Sequence, residues 1–246
     1  MVARKLLFVF AHPDDETFSS GGTAALAAQR GFEAYSVCAT RGEEGAIAEE
    51  AQGVSRAELP GVRERELREA ASILGIKRVT FFDYGDGLLK SVPVKEGRDR
   101  VAEYMRAVRP HVTVTFSPQD GITGHWDHRT IGRWATDAFH EVSAQGMLPE
   151  NARLYWVAVP REMMPIDMPM MENDVPRGVP LADISTRIDI REAAEKKRAA
   201  LLRHVTQRAD VERFLARGQE AFSGEYFRRV APLWSSGEAF EGWVWE

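Results

Sequence analysis

The 246 residues carry 44% apolar and 28% charged side chains, which suits one large hydrophobic core and excludes fibrous, collagenous and disordered chains. Against 32 basic residues stand 37 acidic ones, a net charge of −5, too mild and too mixed for nucleic acid or an anionic membrane as the main partner; a small molecule fits better. A single cysteine, Cys38, rules out an internal disulfide and a cysteine-only metal cage. The early apolar run Leu6–Ala11 falls far short of the roughly 20 residues of a membrane span, so a cytoplasmic protein is expected.

In chain order, Lys5–Phe10, Ala34–Ala39, Val79–Phe82, Val112–Phe116 and Leu154–Val159 read as strands. They are nearly continuous apolar runs, as in a sheet covered on both faces. Between them, Leu67, Ala70, Ala71 and Leu74, and again Ile131, Trp134, Ala135 and Ala138, repeat at helical spacing. The alternation predicts one α/β domain over residues 1–246, with a mostly parallel, Rossmann-like sheet and helices on both faces. Pro160 to Pro180 holds five of the twelve prolines and five of the eight methionines, a long loop whose flexible thioethers suit an adaptable contact surface. A helix is expected from Ile190 to about Gln207. An extension, 208–246, follows, with Trp234, Trp243 and Trp245; its aromatic side chains suggest a homo-oligomer.

Ligands of such sheets gather beyond the carboxyl ends of the strands, and two polar clusters fall there. After the first strand comes Ala11-His12-Pro13-Asp14-Asp15-Glu16, whose crowded carboxylates repel one another unless a cation intervenes. His12 and Asp15 can reach one metal ion, with Asp14 free beside it. After the fourth strand comes Gly121-Ile122-Thr123-Gly124-His125-Trp126-Asp127-His128-Arg129, with His128 on the inward stripe of the next helix. If strands one and four are neighbours, His12, Asp15 and His128 make a three-ligand set with an open position, the arrangement of catalytic zinc. Such an ion acidifies water and polarises a carbonyl. Asp14 is then the general base, and His125 stabilises an oxyanion, with Asp127 holding its tautomer.

These two motifs resemble the LmbE-like or PIG-L deacetylases, zinc enzymes that release acetate from N-acetylglucosaminyl compounds. The resemblance implies zinc, one per chain or another divalent metal in its place, on His12, Asp15 and His128. It makes Asp14 the base and His125 the oxyanion group. Trp126 departs from the proline common there. Thr40-Arg41-Gly42-Glu43-Glu44-Gly45 is similar to the family's Thr-x-Gly-Glu loop, and Arg63 with Glu66 to its Arg-x-x-Glu helix. Arg41, Glu43 and Arg63 are therefore expected to bind substrate, although an ion pair of Arg63 with Glu64 or Glu66 explains it equally well. Asp86, in the turn after strand three, could bind sugar hydroxyls. Lys196–Gln207 is similar to a further family segment, and its His204 reads as a satisfied core histidine.

Family substrates include sugar intermediates of bacillithiol and mycothiol, S-conjugates of those thiols, glycopeptide antibiotics and chitin-type oligosaccharides. Hydrolysis of an N-acetylated sugar, in low-molecular-weight thiol biosynthesis, is the leading expectation. An amidase acting on S-conjugates is the alternative enzyme. A non-catalytic nucleotide- or sugar-binding module lacks the Gly-x-Gly-x-x-Gly loop, and a phosphoesterase would call for two metal ions and more carboxylates.

Overall fold

The computed structural model describes residues 3–164, 168, 170–172, 175–235 and 238–244. Among them the chain runs β1 (Lys5–Phe10), α1 (Asp15–Gln29), β2 (Glu33–Cys38), α2 (Leu59–Leu74), β3 (Ile76–Phe81), α3 (Val94–Val108), β4 (Val112–Thr115), α4 (Trp126–Ala144), β5 (Arg153–Ala158), β6 (Thr186–Ile188), α5 (Ala194–Leu201), α6 (Arg208–Leu215) and β7 (Glu225–Ala231). The fold is α/β, with a mostly parallel seven-stranded sheet. No helix among the described residues is long and apolar enough to cross a membrane. The chain divides into two compact units, each drawn from separated segments.

One unit comprises Met1–Phe10, Gly87–Ile188 and Tyr226–Glu246. Strands β1 and β4 are parallel neighbours, as the site argument requires, in register from Leu6 with Val112 to Val9 with Thr115. On its other side β4 pairs in parallel with β5, and β5 pairs antiparallel with β7. All four residues of β4 are buried, the mark of a strand covered on both faces. Helix α3 packs on α4 where Gly97 meets the buried Trp134: a Cβ on residue 97 would lie 2.2 Å from the indole, so only glycine permits that approach. The tail folds back onto this unit. Glu241 accepts from Arg153 at 2.9 Å and Arg229 at 2.6 Å, and Trp243 is buried. Trp245 lies outside the described residues, as do Pro165, Ile166, Asp167, Pro169, Asn173 and Asp174 of the Pro/Met-rich segment.

The other unit comprises Ala11–Asp86 and Asp189–Glu225. Here β2 and β3 run parallel; Lys77 and Arg78 make β3 less apolar than a fully covered strand. Helix α1 is interrupted at Ser20 (φ −146°), which exposes a fresh set of amide donors within the helix. Glu225 caps them, accepting from Gly22 N and Thr23 N at 2.8 Å each. The carboxylate is neutralised by Lys197, whose Nζ is 2.6 Å from Glu225 Oε1 and 2.8 Å from Phe18 O.

The continuous helix expected from Ile190 to Gln207 is not present. A short 3₁₀ turn leads into α5, which stops at Leu201, and a second 3₁₀ turn covers Val205–Gln207. The physical reason is a competing acceptor: Thr206 gives both its amide, at 2.8 Å, and its hydroxyl, at 2.6 Å, to the Glu66 carboxylate. His204 therefore stands between two helical pieces (φ −80°, ψ 66°) and not on a helical stripe. It is buried, with Nε2 3.2 Å from Thr17 Oγ1. Its Nδ1 has no hydrogen-bond partner among the described residues, so this core histidine is only half satisfied.

Candidate active site

The first group of site residues belongs to the unit that begins at Ala11. Asp14 precedes α1 with φ 147° and ψ −25°, a conformation that costs a non-glycine residue of order 1–3 kcal/mol and that concentrates at functional positions. Its carboxylate accepts from Arg63 Nη2 at 3.0 Å. The same guanidinium donates to Pro13 O at 3.0 Å and to Gly42 O at 2.9 Å. Arg63, only 3% exposed, thus joins the motif after β1 to the loop after β2. Burial raises the Asp14 carboxyl to about 7, against the pull of Arg63. Asp15 is fixed differently: its Oδ2 accepts from the amides of Ala11, at 3.1 Å, and His12, at 2.8 Å. Glu16 is buried beside the Thr17 hydroxyl, and burial raises its carboxyl to about 8. One of the three adjacent acids is therefore neutral at pH 7, which relieves the like-charge crowding.

His12 is bracketed by two carboxylates. Its Nε2 lies 3.0 Å from Asp86 Oδ1, and its Nδ1 3.6 Å from Asp15 Oδ2. Two ligands each about 2.0–2.1 Å from one tetrahedral zinc stand roughly 3.4 Å apart, so Nδ1 and Oδ2 have ligand spacing. Asp86 on the other ring nitrogen is the customary partner that orients a ligating imidazole. Burial raises the Asp86 carboxyl, but His12, the Glu44 amide at 3.0 Å and Arg63 together bring it down to about 2. Glu43 Oε1 accepts from Asp86 N at 2.9 Å.

The second group lies in the unit that contains β4 and α4. The loop leaving β4 turns through Gly121 (φ 55°), Ile122 (φ 70°) and Gly124 (φ 81°), and the Asp120 carboxylate holds it by accepting from Ile122 N at 2.8 Å. His128, in the first turn of α4, has Nδ1 3.1 Å from Gly121 O. A carbonyl only accepts, so Nδ1 carries the proton and Nε2 keeps the lone pair a metal needs. The ring is stacked between Phe116, at 4.0 Å, and His125, at 4.8 Å between centroids. At His125 the proton sits on the opposite nitrogen: Asp127 N donates to Nδ1 at 3.1 Å, leaving Nε2 as the donor. Asp127 thus holds that tautomer through its main-chain amide. Its carboxylate accepts from Gly87 N at 2.7 Å and Leu89 N at 3.1 Å.

A family model described as PIG-L, GlcNAc-PI de-N-acetylase, matches residues 7–139. The chain belongs to the PIG-L family. The curated relatives of this PIG-L chain include the 1D-myo-inositol 2-acetamido-2-deoxy-alpha-D-glucopyranoside deacetylase of Rhodococcus jostii (strain RHA1), 35% identical over 84% of this chain and 82% of the relative. The enzyme of the same name from Thermobifida fusca (strain YX) is 34% identical over 91% and 92%. Among solved structures, the 4-carboxy-2-hydroxymuconate hydratase GalB of Pseudomonas putida KT2440 superposes with a TM-score of 0.70 at 25% identity, over 96% of this chain and 100% of GalB. N,N'-diacetylchitobiose deacetylase of Pyrococcus horikoshii does so with a TM-score of 0.67 at 22% identity, over 92% and 84%.

Of the residues expected from the sequence of this PIG-L protein, His12, Asp14, Asp15, Glu43, Arg63 and Asp86 come together in one unit. His125, Asp127 and His128 come together in the other. Arg63 pairs with Asp14; Glu64 pairs with Arg41 and Arg68, and Glu66 with Thr206. Arg41 is directed to Asp83, at 2.7 Å, and Glu64, its guanidinium 4.8 Å from the Phe81 ring centroid. Gly121, as the acceptor that sets His128, was missed by the sequence reading. Only its neighbourhood to a motif histidine could have marked it.

Proposed function

We propose that the protein is a metal-dependent amide hydrolase that removes the acetyl group from an N-acetylglucosaminyl compound. The observation that carries the reading is the strained, half-buried Asp14 held by Arg63 next to a His12 and Asp15 pair at ligand spacing. Family membership and the deacetylase relatives support it. His12, Asp15 and His128 would hold the metal, and their nitrogen and oxygen donors suit zinc or a similar divalent ion. When bound, that ion polarises the acetyl carbonyl and acidifies water.

Asp14 takes the proton of the attacking water and returns it to the amine nitrogen as the C–N bond breaks. Arg63 keeps its carboxylate oriented through that exchange. His125 donates from Nε2 to the oxygen that gains charge, an interaction strongest in the transition state. Asp86 serves as the orienter of His12, with Glu43 holding Asp86 in turn.

A hydratase reading draws on the GalB likeness, at 25% identity; the higher sequence identity to the curated deacetylases, 35% and 34%, favours amide hydrolysis. The deciding experiment measures acetate released from N-acetylglucosaminyl inositol and from N,N'-diacetylchitobiose, with metal content determined on the same protein. Acetate from either substrate, abolished by Asp14→Ala with the metal retained, supports the proposal. A metal-loaded protein that releases acetate from neither would reject it for these substrates.

A further inference from the structure

His125 ends the loop that leads from β4 into α4, and that loop has little stiffness of its own. Gly121, Ile122 and Gly124 turn with positive φ, and glycine loses more freedom on ordering than any other residue. Trp126 follows as the first residue of α4. Proline is pre-organised at such a position by its fixed φ; tryptophan is not. Three residues that flank His125 are nevertheless held from outside the loop, all by one short stretch of the Pro/Met-rich segment. Thr123 O accepts from Met171 N at 2.8 Å. Gly124 lies against the same stretch: a Cβ on it would meet Val175 Cγ2 at 2.8 Å and Glu172 N at 3.0 Å. The Trp126 indole N–H donates to Glu172 Oε1 at 2.6 Å. With the Arg129 guanidinium 4.4 Å from its ring centroid, this 41% exposed indole is held at both face and edge.

We propose that Glu172 is a positioning residue for His125, acting through the Trp126 indole, and that with the Met171 amide it clamps the loop that presents the imidazole. The inference rests on the deacetylase reading above, in which His125 donates to the oxygen that gains charge. An oxyanion donor works because it is fixed before the charge appears, and a misplacement of about 1 Å costs about 10²-fold in rate. Ties at residues 123, 124 and 126 restrain the histidine from both sides. A charge-assisted bond from indole to carboxylate is about twice as strong as a neutral one, which suits a single side-chain tether. The placement of the ring has its own reporter in the Asp127 amide, which donates to His125 Nδ1 at 3.1 Å.

The test measures acetate release from N-acetylglucosaminyl inositol by wild type, Glu172→Ala, Glu172→Gln and Trp126→Phe, each with and without His125→Ala. Glu172→Ala and Trp126→Phe should lower kcat about tenfold with KM little changed, part of the roughly 10²–10³-fold that loss of an oxyanion donor costs. Glu172→Gln, which keeps an acceptor for the indole, should stay near wild type. In the His125→Ala background the same substitutions should cost nothing further, because the group they position is gone. A kcat that neither variant lowers, or a loss of equal size in both backgrounds, overturns the clamp. If wild type releases no acetate, the deacetylase reading falls separately. The clamp is then judged by hydrogen exchange at the Asp127 amide. Exchange about tenfold faster in Glu172→Ala and restored in Glu172→Gln would uphold it, and unchanged protection in Glu172→Ala would overturn it.

Discussion

Arg63 Nη2 is 3.0 Å from Asp14 Oδ2 and 3.0 Å from Pro13 O, so one guanidinium edge grips both the carboxylate of the proposed base and the main chain just before it. Its positive charge also works against burial on the Asp14 carboxyl. Replacing it by Arg63→Met should raise that carboxyl further. Because the base must be ionised to act, the acid limb of the kcat/KM profile should then move to higher pH. A limb that stays in place, with activity merely lower, would assign Arg63 a purely structural part.

Asp14 itself accepts its hydrogen bond from Arg63, whereas Asp15 is bound by main-chain amides. Asp14→Asn should therefore retain metal while acetate release falls by roughly 10²–10⁴-fold, the usual contribution of a positioned base. Metal lost in parallel with activity would place Asp14 among the ligands.

Gly121 meets His128 closely: a Cβ on residue 121, at φ 55°, would lie 2.9 Å from His128 Cβ. Gly121→Ala should push the imbalance onto the imidazole and its Nδ1 bond, weakening metal affinity by about 10–100-fold, as for other partners of ligating histidines. Competition with a chelator reads this directly, and unchanged affinity would show that His128 is not a ligand.

Burial, with the Arg63 charge, lowers His204 to about 3. A histidine whose folded value lies below its unfolded value of about 6.5 gives its full stability above pH 6.5 and loses it as pH falls toward 3. Each pH unit in that window costs about 1.4 kcal/mol. Between pH 7 and pH 5, wild type should therefore lose about 2 kcal/mol more stability than His204→Gln in urea unfolding. Parallel losses would mean that His204 protonates without penalty.

Lys197 is 1% exposed, as sealed as any aliphatic core residue. Lys197→Met should cost about 3–5 kcal/mol by stranding the Glu225 charge, and adding Glu225→Gln should recover part of it. A double variant as unstable as the sum of the two singles would show that the pair is not coupled.

The two motifs were legible in the sequence because dense polar chemistry directly after an apolar strand is rare without a task. The parallel strands were legible from their continuous apolar runs, and β1 next to β4 followed the topology expected of such sheets. Helix α1 was not foreseen: its glycines and serines, with an interruption at Ser20, blur the helical period, and its second half depends on a carboxylate distant in sequence. The end of α5 was misplaced for the same kind of reason, since Glu66 takes the Thr206 amide from across the fold. The tautomers of His125 and His128 were beyond sequence reasoning because main-chain groups set both. Arg63 was recognised as important, but its hydrogen bond to Asp14 was not foreseen, because neighbours on a helix are easier to see than a loop that arrives from another strand.

The cap that Glu225 places on the second half of α1 bears on where this protein can be cut. Residues 7–139, the stretch by which the family is recognised, end long before Lys197, Thr206 and Glu225. A fragment trimmed to that stretch would keep every proposed metal ligand, yet α1 would carry open amides at its break and Glu66 would have lost the threonine it binds. The smallest autonomous piece is therefore set by where buried charges find their partners, and it extends far beyond the borders of the recognisable motif.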